Sequence, residues 1–177
     1  MQLTEQQRTI DENIRQICAQ FDDQYWTDCE ENMHFPVEYY DQMAKHGWLG
    51  IAMPEELGGA GLGVTDAAVM MHAATSSGGG YSAASAIHMN LFDPHAIVVH
   101  GTKEQTERWL VPLIQGRQKA CFGVTEPDAG LDTTSSKTTA TRTTGGYTVH
   151  GCKVWTSAAQ VADKILRLTR TTPMRRR

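Results

Sequence analysis

The residues best placed to do chemistry lie in two short stretches of the second half of the chain. The first is Phe122-Gly123-Val124-Thr125-Glu126-Pro127-Asp128-Ala129-Gly130-Leu131-Asp132. Val124 and Thr125 end an expected strand and offer backbone groups and a hydroxyl. Glu126 precedes a proline, which pushes its backbone towards extended conformations. Pro127-Asp128-Ala129-Gly130 has turn chemistry: proline presets φ, and Gly130 is free to take φ > 0. Such a loop leaves backbone N–H groups pointing outwards, and together they form a concave anion site. A flat, polar-edged ring with a phosphate tail would find both its needs met here. A plain turn between two strands has the same composition, and the stretch alone does not separate the two readings.

The second stretch is Gly151-Cys152-Lys153-Val154-Trp155-Thr156-Ser157. Read as the close of a strand, its alternation puts Trp155 and Ser157 on one face. An indole beside a hydroxyl could flank a flat ring and hydrogen-bond its edge. The competing reading makes Trp155 an ordinary core tryptophan.

Other reactive residue types do not converge. His88, His95 and His100 share a helical region, but neither gap is three or four residues, so they make no metal face. No G-x-S-x-G elbow supports a serine hydrolase. Gly78-Gly79-Gly80-Tyr81-Ser82-Ala83 fits G-x-G-x-x-A by letters, but a helix rather than a buried strand precedes it, so it reads as a helix–helix break. The pairs Asp22-Asp23, Glu30-Glu31 and Glu55-Glu56 read as solvated faces. Cys18, Cys29, Cys121 and Cys152 lack C-x-x-C spacing, which argues for free thiols and a reducing compartment. The 177 residues are 40% hydrophobic and 20% charged, with a net charge of −4. That balance describes a globular chain and excludes a nucleic-acid partner. The terminal Arg175-Arg176-Arg177 reads as a solvated or aberrant chain end. No signal peptide, transit sequence or membrane-spanning run is visible, so a cytoplasmic location is expected.

The elements that must hold the two stretches change character along the chain. The first half reads as helices. Thr4 and Gln7 fit a capping box, and Ile10, Ile14, Ile17, Phe21 and Tyr25 recur on one apolar face. A short helix follows Pro36 with Tyr39, Tyr40 and Met43 inward. Thr65 or Asp66 caps a third, through about residue 76. A fourth runs from about Ser82 to His100, disturbed near Asp93-Pro94. Thr102 and Gln105 form another capping box, and Pro112 ends or kinks the helix that follows. Strands are expected at 121–125, 136–143, 147–156 and 164–169, with Thr144-Gly145-Gly146 as a hairpin loop. The fold class is therefore α+β: an all-α domain over residues 1–117, then an incomplete antiparallel β-barrel domain over 118–177. So small an open sheet leaves edges unpaired, which suggests a fragment with more strands expected downstream.

Taken in order, these stretches resemble the central region of acyl-CoA dehydrogenases. The resemblance rests on Phe122 to Gly130, Lys137-Thr138, Gly146-Tyr147 and Gly151 to Ser157. Gly47-Trp48-Leu49-Gly50, Pro54 to Gly59 and Gly101 to Gln105 resemble that family's N-terminal helical domain. The resemblance implies a flavoprotein oxidoreductase of fatty acid metabolism with a helical N-terminal domain, a β-barrel middle domain and a C-terminal helical domain. It implies FAD, an acyl-CoA substrate that loses its α-proton and passes a β-hydride to flavin N5, an electron-transfer flavoprotein as partner, and a homotetramer. Carried onto this chain, Phe122, Val124 and Thr125 would line the flavin, with Thr125 on the ring's polar edge. Gly130 and Leu131 would lie near phosphate or acyl-CoA groups, Leu131 also touching substrate. Trp155 would pack on the ring, with Thr156 beside it and Ser157 near N5. No metal ligand is implied.

Two positions depart from the common pattern. Leu131 stands where a serine is usual, a Gly-Leu-Asp variant also found in one branch of the family, and Thr156 replaces an aliphatic residue. The family's catalytic base would lie downstream of residue 177. On this reading the chain alone is inactive and binds FAD weakly or not at all. Alternatives are an acyl-CoA oxidase or a flavin monooxygenase of the same fold, or a non-catalytic fragment that only associates.

Overall fold

The computed structural model describes residues 2–172. The Arg175-Arg176-Arg177 tail lies outside the described residues. Helix α1 (Glu5–Cys18) starts at the expected capping box: the Gln7 N–H donates to Thr4 Oγ1 and the Thr4 N–H to Gln7 Oε1, each at 3.2 Å. Ile10, Ile14 and Ile17 form its buried face. The face does not continue unbroken to Tyr25. Asp22 accepts from the Tyr25 N–H at 2.9 Å and starts a separate helix, α2 (Asp23–Glu31). An aspartate before a helical run satisfies an orphan N–H there, and this local gain redirects the chain. Phe21 and Tyr25 still reach the core, their rings 4.8 Å apart and tilted by 50°, with Phe21 5.6 Å from the buried Tyr39 ring.

Helix α3 (Val37–Lys45) buries Tyr39, Tyr40 and Met43, as its spacing requires. Helix α4 (Val64–Thr75) is capped at Gly63 rather than at Thr65 or Asp66. Asp66 contributes from inside the first turn, accepting the Gly63 N–H at 3.2 Å and Gln7 Nε2 at 3.1 Å, which ties α4 to α1. Helix α5 (Gly80–Leu91) stops before Pro94, and α6 (His95–His100) resumes after the break. The second expected capping box opens α7 (Lys103–Gln105). A π-helical turn (Thr106–Leu110) follows and leads into α8 (Val111–Ile114), so Pro112 does not end the helix. A proline there has no N–H for the carbonyl four residues back and crowds it; the wider π turn absorbs both defects.

Beyond the helices, β1 (Ala120–Gly123) pairs with β4 (Lys164–Arg167), Ala120 opposite Lys164 and Gly123 opposite Arg167. The pair is parallel, because the long intervening segment crosses over. The hairpin β2 (Thr139–Thr143) and β3 (Gly146–His150) is antiparallel, turning through Thr144-Gly145 with Gly145 at φ +84°. The chain after β4 links the two sheets: the Arg170 N–H donates to Thr138 O at 2.8 Å, and Arg170 O accepts from Ala140 N at 2.7 Å. A helical domain followed by an incomplete β region is thus the architecture, with antiparallel pairing in the hairpin and in an isolated bridge between Glu126 and Ala129.

One buried amide joins the two regions. Asn90 on α5, 2% exposed, donates through Nδ2 to Tyr40 Oη (2.7 Å) and to the carbonyls of Leu113 (3.0 Å) and Gln118 (3.2 Å). Its Oδ1 accepts the Ala120 N–H at 3.1 Å. Tyr40 Oη also donates to Gln118 O at 3.1 Å. The first residue of β1 is therefore pinned to the helical core, and the direction of Phe122 to Thr125 follows from it.

Asp93 lies one turn beyond Asn90 and is buried, its Oδ2 without a hydrogen-bond partner among the described residues. Burial pushes its carboxyl up to about 7. A carboxyl that holds its proton more tightly folded than unfolded stabilises the fold fully below its unfolded pKa. That contribution is lost as pH rises through the folded value. Asp93→Asn, neutral at every pH, is expected to match the wild-type Tm near pH 4 and exceed it by about 5 °C at pH 8. Thermal melts followed by circular dichroism at the two pH values check this, and an equal difference at both would contradict it.

Candidate functional site

The turn after β1 closes on itself. The Glu126 N–H donates to Ala129 O at 2.9 Å and the Ala129 N–H to Glu126 O at 3.1 Å. Two of the amides expected to face outwards are therefore consumed inside the turn, and Gly130 does not use the left-handed conformation. Leu131 follows, fully exposed. Asp132 then caps a short turn, accepting the Thr134 N–H at 3.1 Å and the hydroxyls of Ser135 and Thr134. Those hydroxyls, Ser135 foremost, hold its carboxyl below the ordinary value. The outward anion cradle is smaller than the sequence suggests, because local side-chain and turn bonds take its donors.

The second stretch is not the end of a strand. β3 stops at His150, and residues 151–156 carry no ladder. Trp155 and Ser157 are consequently not on one face by alternation. Trp155 takes φ +58° and Ala158 φ +60°, a conformation that costs a non-glycine residue energy and persists where surrounding structure imposes it. The Trp155 side chain projects into solvent at 89% exposure, so it is not a core tryptophan; Trp26 fills that role. Thr156 and Ser157 are half-buried beside it, as are Phe122, Val124 and Thr125 on the other stretch.

The two stretches meet. The Val154 N–H donates to Thr125 O at 2.9 Å. Next to that bond Lys153 Nζ lies 2.8 Å from Glu126 Oε1 and 2.8 Å from Val124 O. Glu126 also accepts the backbone N–H groups of Lys137 (2.6 Å) and Thr138 (2.9 Å). Lys153 above all, then these donors, hold the Glu126 carboxyl far below the usual carboxylate range. The sequence reading brought the six residues Phe122, Val124, Thr125, Trp155, Thr156 and Ser157 to one place, and their segments are adjacent. It missed Glu126 and Lys153 as the link. The one signal available was a lysine set between Val154 and Cys152 in an otherwise uncharged stretch.

The acids near this site are all engaged. Glu126 is in the buried pair, Asp128 meets Lys137 Nζ at 2.9 Å, and Asp132 caps its own turn. No group of metal-ligating side chains occurs among the described residues, His88, His95 and His100 included. No helix among them is long and apolar enough to cross a membrane. A hollow of about 320 Å³ between α4 and α5 is lined by Met71, Tyr81, Ser85, His88 and Phe92, among others. Burial keeps the His88 imidazole below its ordinary pKa, and its Nδ1 lies 3.3 Å from Ser85 O.

The arrangement has relatives. Residues 4–117 match the family described as "Acyl-CoA dehydrogenase, N-terminal domain", and residues 121–177 the one described as "Acyl-CoA dehydrogenase, middle domain". An "Acyl-CoA dehydrogenase, short-chain specific" from Clostridium acetobutylicum is 29% identical over 161 residues, 91% of this chain and 42% of the relative. A solved structure of a probable acyl-CoA dehydrogenase from Mycobacterium abscessus superposes with a TM-score of 0.88 at 28% identity, covering 96% of this chain and 45% of that one. A structure described as the FAD complex of PigA gives 0.85 at 25% identity, covering 98% and 45%. The chain thus spans less than half the length of the relatives it matches. With both matches on one chain, the N-terminal one over more than half of its length, the chain belongs to the acyl-CoA dehydrogenase family.

Proposed function

We propose that this chain supplies the N-terminal helices, divided at 117/118 from a middle β region, and half of the flavin site of an FAD-dependent acyl-CoA dehydrogenase. The observation that carries the reading is the Val154–Thr125 backbone bond, which brings the segment bearing the exposed Trp155 indole, Thr156 and Ser157 against the segment bearing Thr125. Residues of these types fit the group: an apolar plane for the ring and hydroxyl donors for its polar edge. FAD, when bound, supplies the hydride acceptor for α,β-dehydrogenation of an acyl-CoA thioester.

On this reading Trp155 covers one part of the ring and excludes water there. Phe122 and Val124 line it. Thr125 donates to the edge where charge accumulates on reduction, and fixed donors at such an edge favour the reduced state. Ser157 and Thr156 orient the region near N5. Gly130 and Leu131 face the phosphates or the acyl-CoA. The hollow beside His88 receives the acyl group. We assign the catalytic base to none of Glu126, Asp128 and Asp132, since each is already paired or capping. An acceptor for the α-proton must reach the site from outside these residues. In the whole protein, an electron-transfer flavoprotein takes the electrons, the assembly is a homotetramer, and the compartment is the cytoplasm.

Titrating the 177-residue chain with FAD tests the flavin assignment. Expected are a perturbed 450 nm band and quenched flavin fluorescence, with a dissociation constant on the order of 10⁻⁴ M for a half-site. Trp155→Ala is expected to weaken this about tenfold. An unchanged spectrum at millimolar FAD would count against the assignment.

A further inference from the structure

We propose that the buried Glu126–Lys153 pair is a positioning device that sets the spacing between Val124-Thr125 and the Trp155–Ser157 segment, and so decides whether the two can hold a ring between them. The inference rests on the flavin reading above. The two side chains are 5% and 6% exposed, and their charged atoms are 2.8 Å apart. Glu126 directly follows Thr125, and Lys153 lies two residues before Trp155. A displacement of either charged group is therefore passed to both ring-facing segments through one or two residues. The pair also reaches further: Lys153 holds the Val124 carbonyl, and Glu126 holds the Lys137 and Thr138 amides at the approach to β2.

Stability alone does not account for such a pair. Two charges taken out of water repay little, and apolar side chains of similar size serve as well or better in many cores. What an ion pair with four directed hydrogen bonds adds is a single permitted geometry. The neighbouring charges do not compete for it, because Asp128 is turned to Lys137 at the surface. The left-handed backbone at Trp155 marks the same point: its strain has to be held by something adjacent. The pair fixes the chain two residues before it, beside the Val154–Thr125 bond.

The test compares wild type with Lys153→Met, Lys153→Arg and Glu126→Asp. Three readouts are taken: amide exchange at Val154, the 19F resonance of 5-fluorotryptophan at position 155, and FAD titration. Amide exchange at Ile14 and the far-ultraviolet spectrum report whether the helical region stays folded. Lys153→Met is expected to cut Val154 protection about tenfold or more, to move the Trp155 resonance while those of Trp26, Trp48 and Trp109 stay, and to weaken FAD binding by a similar factor. Lys153→Arg keeps the charge and is expected to recover FAD affinity to within about threefold. Glu126→Asp, shorter by one methylene, is expected to move the Trp155 resonance in a fold that stays intact.

Wild-type FAD affinity in Lys153→Met, despite an exposed Val154 amide, would reduce the pair to a structural role. An unmoved Trp155 resonance in both Lys153→Met and Glu126→Asp would overturn the spacing claim outright. Absence of any flavin response in the wild type would defeat the flavin reading. The exchange and fluorine readouts would then still decide whether the pair sets the spacing.

Discussion

Asn90→Ala is expected to destabilise the protein by about 2–3 kcal/mol and to lower its Tm by about 8 °C. The amide of Asn90 bonds to the helical core and to the first residue of β1 at once. Its removal leaves the Ala120 N–H without its acceptor in a region closed to water, while the Leu113 carbonyl keeps the Gly116 N–H at 3.1 Å. Each buried group stranded this way costs about 1–3 kcal/mol. Gln118 O loses less, since Tyr40 Oη still donates to it. Asn90→Asp separates the contributions. It keeps an acceptor for Ala120 but gains a charge facing two carbonyls, so it is expected to be at least as damaging at pH 7 and to recover partly on acidification. Urea unfolding monitored by circular dichroism gives the free energies. A loss under 1 kcal/mol for Asn90→Ala would show that water replaces the amide and that β1 is held by other means.

Asn90 also shows what sequence reading reaches and what it does not. The helices were legible because periodicity and capping are local: Thr4 with Gln7 and Thr102 with Gln105 lie three residues apart, and Tyr39, Tyr40 and Met43 recur on one helical face. Family resemblance reached further, pairing Phe122–Gly130 with Gly151–Ser157. Neither source exposed the links that hold the two together. Glu126 and Lys153 are 27 residues apart, Asn90 and Ala120 are 30 apart, and an isolated polar residue carries no mark of a partner so distant. Strand limits failed for a related reason. Thr-rich and aromatic residues raise β propensity through residue 156, yet a ladder needs a neighbour, and after His150 the chain turns to meet Thr125 instead. Trp155 was thereby read as strand alternation when its orientation comes from a left-handed backbone.

The residue that permits this departure is Gly151, and Gly151→Ala is expected to cost about 3–5 kcal/mol. Gly151 has φ +150°, where an L side chain is strained. A Cβ there would lie 2.4 Å from Thr138 Oγ1 and 2.7 Å from Thr138 Cα. The hydroxyl could rotate away, but the backbone atom could not, because Thr138 is fixed from two directions: its N–H donates to Glu126 and its carbonyl accepts from Arg170. The strain would therefore not stay at the end of β3. Pushing Thr138 outwards pulls on Glu126, and pushing residues 152–153 outwards pulls Lys153 from the same carboxylate. The expected signature is local: β-region amides at Thr138 and Val154 exchange faster by about two orders of magnitude, while α1 and α5 amides keep their protection. Gly151→Ala compared with Thr138→Ala then isolates the backbone clash, since the alanine removes the Oγ1 that a Cβ would meet and, that hydroxyl having no hydrogen-bond partner among the described residues, is expected to stay within about 2 kcal/mol of wild type. If combining the two substitutions restored full stability, the clash would lie with the Thr138 side chain, and close approach of the two backbones would not be what the glycine is for.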